Sequence, residues 1–146
     1  MTFEIRPLGD ALGAEIIGLD LSAPLDESVF AKVHQAHLEH LVLVFRDQSL
    51  EPQRQIEFSR RFGPLDQHPA NDAVLADFPD VLVLSTKREN GKYIGLPDGG
   101  PMWHSDLAYR ERTALGTMLY ALEIPDSGGD TRFANMYAAY DAMPDH

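Results

Sequence analysis

Short apolar runs, set apart by helical stripes and by turns, constrain this chain most. Leu41-Val42-Leu43-Val44-Phe45 and Val81-Leu82-Val83-Leu84 are apolar at every position. Runs this short and rich in β-branched residues read as strands covered on both faces. Phe3 to Leu8 alternates weakly, and Ala14 to Leu21 holds Ile16-Ile17-Gly18-Leu19, so two strands precede them. Ser22 to Asp26 is turn chemistry, with Asp26 as a helix cap. From Ser28 to His40 the positions Val29, Phe30, Val33 and Ala36 trace one helical face. Ser49 and Pro52 start a second helix, which runs through Ile56, Phe58 and Phe62 to the stop at Gly63-Pro64.

The rest follows the same alternation. Lys87 to Pro101, rich in Gly and Pro, is expected to be a long loop. Met102 to Tyr109 and Thr117 to Ile124 read as strands, Pro125 to Gly129 as a turn, and Asn135 to Met143 as a helix. There is no internal repeat and no domain boundary, so residues 1–146 are expected to form part of one domain. The chain stops after a helical pattern without a closing strand, which suggests the N-terminal portion of something longer.

Composition narrows the chemistry. With no Cys there is no disulfide, thiolate nucleophile or iron–sulfur cluster, and any metal must be held by nitrogen and oxygen. Twelve Lys and Arg against 23 Asp and Glu leave a formal charge of −11. The basic residues are scattered, which argues against nucleic acid as a partner and against an anionic membrane surface. Glu4 and Arg6 interrupt any signal-peptide core, and no apolar run could span a bilayer. A soluble cytoplasmic protein is the expectation; a homo-oligomer stays open.

The informative segment is Trp103-His104-Ser105-Asp106. Alternate residues of a strand share a face, so His104 and Asp106 are expected to converge there. One imidazole and one carboxylate are two legs of a 2-His-1-carboxylate facial triad, the arrangement that leaves positions open on Fe(II). A bare His-x-Asp is common by chance. Here a glycine-rich loop, Leu96 to Pro101, leads into it and a second glycine turn, Gly128-Gly129-Asp130-Thr131, follows.

With these two motifs go Ala138-Ala139-Tyr140, Gly13-Ala14-Glu15-Ile16, Leu43-Val44-Phe45-Arg46 and Arg61-Phe62-Gly63-Pro64-Leu65. Together they resemble the TauD/TfdA family of Fe(II)- and 2-oxoglutarate-dependent dioxygenases. The resemblance implies an α+β fold, a double-stranded β-helix (jelly roll) with flanking helices, C-terminally incomplete here. It implies that His104 and Asp106 bind iron and are the catalytic pair. It implies that Thr131 helps hold the far carboxylate of 2-oxoglutarate. His68 and Asn71 fall where relatives contact substrate. Asn71 replaces an aromatic residue of the taurine enzyme, and Gly100 replaces an asparagine four places before the metal-binding histidine, so the substrate class is open. The distal histidine and the arginine that pairs with 2-oxoglutarate lie beyond position 146 in relatives, and His146 is not taken as a ligand. The implied reaction consumes 2-oxoglutarate and dioxygen, hydroxylates a small organic substrate, with organic anions among the candidates, and releases succinate and carbon dioxide.

Blander readings stand beside these. His34, His37 and His40 suit a helix end rather than a metal. Trp103, Tyr109 and Tyr120 are expected in the core, Asp98 in a turn, and Arg46-Asp47 as a local ion pair. The alternative to an enzyme is a truncated, catalytically incompetent piece that binds or dimerises.

Overall fold

The computed structural model describes residues 2–66, 73–97, 99–100 and 102–144. They fall into two units, Met1–Leu50 with Ala121–His146, and Glu51–Tyr120.

The first unit is built on a three-stranded sheet. Strand β1 (Glu4–Pro7) pairs antiparallel with β2 (Ala14–Ile17), Pro7 opposite Ala14 and Glu4 opposite Ile17. Helix α1 (Glu27–His40) then carries the chain to β3 (Leu43–Phe45), which lies parallel to β2 with Ala14 opposite Leu43. A parallel pair needs such a crossover. The expected stripe is the buried one: Val29, Phe30, Val33 and Ala36 are buried, as are Ala14, Ile16, Leu19 and Leu21. Asp26 caps α1 through its carbonyl, which accepts from Val29 and Phe30, and not through its side chain. Leu41, at φ 66°, ends the helix, so β3 begins two residues later than expected, and it is half-buried rather than covered on both faces. At the far end Asn135 caps α3 (Met136–Asp141), its side-chain oxygen accepting from Tyr137 N and Ala138 N.

One charge sits inside this unit. Glu15 on β2 is buried, and its carboxylate accepts from Arg6 on β1 and, at 2.8 Å, from Nε of Arg46. Arg46 therefore reaches across the sheet instead of pairing with Asp47. A buried carboxylate needs such partners.

The second unit starts with α2 (Pro52–Arg60), whose Ile56 and Phe58 are buried. It packs on the hairpin of β4 (Val74–Leu75) and β5 (Phe78–Leu82), and Arg60 pairs with Asp80 at 2.9 Å. The expected long loop contains a small hairpin, β6 (Arg88–Glu89) with β7 (Lys92–Tyr93), turned by Asn90-Gly91 at φ 50° and 80°.

Neither Met102–Tyr109 nor Thr117–Ile124 is a strand. A strand exists only by pairing its backbone, and among the described residues no strand runs alongside either segment. Residues 106–109 form a turn instead. For the same reason Trp103 and Tyr109 are 70% and 73% exposed, not core residues; Tyr120 is half-buried. The described strands form sheets of three, two and two strands, and no jelly roll closes among them. Among the described residues, no helix is long and apolar enough to cross a membrane.

Candidate metal site

His104 and Asp106 do meet, though the expected strand is absent. Residues 103–105 carry no regular structure, and the chain then turns: Ala108 N donates to Ser105 O at 3.3 Å, Arg110 N donates to Leu107 O at 3.0 Å, and Leu107 takes φ 52°. The turn folds the carboxylate back to the imidazole, with Nε2 of His104 3.1 Å from Oδ1 of Asp106.

The hydrogen bonds fix what this pair can hold. Nδ1 of His104 lies 2.7 Å from the carbonyl of Met102. A carbonyl only accepts, so Nδ1 carries the proton. In the neutral ring Nε2 then presents a lone pair to a carboxylate oxygen, and two acceptors face each other. A cation between them removes the conflict. A proton does so: the imidazole is held above its ordinary range, first by the Met102 carbonyl and then by Asp106. A divalent metal competes for the same place. The donor set suits Fe(II), a nitrogen and an anionic oxygen.

Two neighbours support the pair. Thr117 donates its hydroxyl to Oδ2 of Asp106, the oxygen turned away from the histidine. The imidazole lies against Gly100, at φ 94°. Both side chains are 48% exposed, so the described residues leave the pair open to solvent rather than in a closed, dry pocket. Among the described residues no three His, Asp or Glu side chains gather as a metal group, and His34, His37 and His40 on α1 are no exception. His34 instead stacks on Phe30 at 6.0 Å.

Thr131 is exposed and belongs to the first unit, following Gly128 and Gly129, which both take left-handed φ (74° and 73°) that only glycine adopts freely. His68, Asn71, Asp98 and His146 lie outside the described residues. Thr117 and the seat at Gly100 escaped the sequence reading; the first is a contact over eleven residues that no local pattern announces.

The family model described as taurine catabolism dioxygenase TauD, TfdA family, matches residues 4–146. The chain belongs to this family. Among curated TauD/TfdA relatives, it is 39% identical over 141 residues to the (S)-phenoxypropionate/alpha-ketoglutarate-dioxygenase of Sphingobium herbicidovorans, covering 97% of this chain and 48% of that protein. It is 37% identical to pentalenolactone F synthase of Streptomyces avermitilis, with 94% and 46% covered. It is 35% identical to the alpha-ketoglutarate-dependent 2,4-dichlorophenoxyacetate dioxygenase of Cupriavidus pinatubonensis, with 99% and 54% covered. The chain thus spans about half the length of these curated TauD/TfdA relatives. A crystal structure assigned as an alpha-ketoglutarate-dependent taurine dioxygenase from Burkholderia xenovorans superposes with a TM-score of 0.52 at 31% identity, over 60% of this chain and 32% of that one.

Proposed function

We propose that the whole protein is an Fe(II)- and 2-oxoglutarate-dependent dioxygenase that hydroxylates a small organic anion within a jelly-roll domain. The observation that carries this is the His104–Asp106 pair: Nε2 and Oδ1 lie 3.1 Å apart, with the other ring nitrogen occupied by the Met102 carbonyl. When bound, iron with 2-oxoglutarate and dioxygen supplies the oxidation, one oxygen atom entering the substrate as hydroxyl and the other entering succinate as carbon dioxide leaves.

The chain's own residues hold and orient. Nε2 of His104 and Oδ1 of Asp106 are the metal ligands, and the Asp106 charge offsets that of the cation. The Met102 carbonyl keeps His104 in the binding tautomer, as outer partners of metal-bound histidines do. Thr131 donates to a carboxylate of 2-oxoglutarate. By the family resemblance, His68 and Asn71 are the candidate substrate contacts. The relatives named for phenoxypropionate and 2,4-dichlorophenoxyacetate act on aryloxy carboxylates, and they support an organic anion here without choosing it.

Incubating the full-length protein with Fe(II), 2-oxoglutarate and a panel of organic carboxylates, sulfonates and sulfates is the test. The expected result is succinate in amounts matched to hydroxylated product. No succinate with any combination removes the reading.

The two-ligand count favours a second reading for these 146 residues in isolation, a piece that does not turn over and at most binds or dimerises. Succinate from the full-length protein, and none from residues 1–146, separates that reading from the first.

A further inference from the structure

We infer that Thr117 is the positioning residue that aims the Asp106 carboxylate, with α2 as the rigid support behind it. This rests on the reading of His104 and Asp106 as metal ligands.

A free aspartate side chain rotates about two bonds and can turn either oxygen toward its neighbour. Here the two oxygens have different partners. Oδ2 accepts the Thr117 hydroxyl, and Oδ1 is left facing Nε2 of His104. The hydroxyl therefore selects which oxygen meets a metal, and favours binding through that one oxygen alone. A hydrogen bond from a neutral donor leaves the ligand's negative charge in place, where an Arg or Lys partner would cancel it.

Thr117 lies in a segment without helix or strand, and such a segment positions nothing unless something braces it. The brace is α2. Nε2 of Gln55 reaches the Met118 carbonyl at 3.5 Å, and Oγ of Ser59 lies 3.1 Å from Met118 Sδ while also bonding the Gln55 carbonyl at 2.8 Å. Gln55 and Ser59 are one helical turn apart and half-buried, on a helix anchored by Ile56 and Phe58. The route runs from α2 to Met118, to Thr117, to the carboxylate, all within the second unit. Groups that orient metal ligands in this way commonly change metal affinity about 10- to 100-fold when removed.

The test is Mn(II) binding to the full-length protein, read by calorimetry and by the electron-spin signal of free Mn(II), for wild type, Asp106→Ala, Thr117→Val and Thr117→Ser. Val keeps the shape of Thr and loses the hydroxyl; Ser keeps the hydroxyl. The expected pattern is binding by wild type, loss in Asp106→Ala, affinity weakened at least tenfold in Thr117→Val, and near-complete rescue in Thr117→Ser at unchanged melting temperature. Wild-type affinity in Thr117→Val overturns the positioning role while Asp106→Ala still loses the metal. Thr117→Ser as weak as Thr117→Val also overturns it. If wild type takes up no Mn(II), or Asp106→Ala binds as well as wild type, the ligand assignment itself fails.

Discussion

The imidazole of His104 rests on the bare Cα of Gly100: a Cβ built at residue 100 would stand 2.7 Å from Cε1 of the ring and 3.2 Å from Nδ1. Gly100 also takes φ 94°, where side chains are strained. Gly100 thus bears directly on the His104–Asp106 pair. Gly100→Ala is expected to cost about 1–2 kcal/mol of stability from the backbone alone and to push the ring off its position. Thermal melting reads the first effect and Mn(II) titration the second. Mn(II) affinity equal to wild type would show that the ring does not depend on this seat.

In the proposed site Asp106 is the anionic ligand. Asp106→Ala in the full-length protein is expected to abolish succinate formation from 2-oxoglutarate with the far-ultraviolet spectrum unchanged. Retained turnover would remove Asp106 from the metal.

For Thr131, the expected role is one hydrogen bond to a charged carboxylate. Such a bond is worth ~1.5–3 kcal/mol. Thr131→Val should therefore raise the KM for 2-oxoglutarate by roughly ten- to a hundredfold, with a smaller effect on kcat. An unchanged KM would take Thr131 out of the cosubstrate site.

Glu15 gives a pH dependence. Its carboxyl is held below the ordinary carboxylate range, first by the Arg6 hydrogen bond and further by the charges of Arg6 and Arg46, against the opposing effect of burial. A depressed folded-state value stabilises the fold above the unfolded value and loses that contribution as pH falls through the folded one. Glu15→Gln is expected to lower the urea midpoint at pH 7 and to narrow its distance from wild type as pH falls below about 4. A constant difference between the two proteins over that range would separate Glu15 from the acid response.

What the sequence made legible was periodic. The stripe of Val29, Phe30, Val33 and Ala36 declares α1 because burial of one helical face repeats along the chain. The Asn90-Gly91 pair is a strong hairpin signal, and its flanks, Arg88-Glu89 and Lys92-Tyr93, hid it by being polar. Strand alternation predicts that His104 and Asp106 meet, and they do, but through a turn rather than a strand. Glu15 with Arg46, thirty-one residues apart, and Thr117 with Asp106 depend on where the chain returns, which no spacing rule encodes. His68 and Asn71 stay with the resemblance alone.

Leu115, Leu119, Leu122 and Ile124 are 58% to 82% exposed, and that has a colloidal consequence. Greasy surface is kept apart in solution chiefly by like charge, and these 146 residues carry −11 at neutral pH with an isoelectric point near 4.8. Acidified toward that point, residues 1–146 lose their repulsion while the leucines stay bare. They are then a suspension waiting to clump, best handled dilute, cold and well above neutrality.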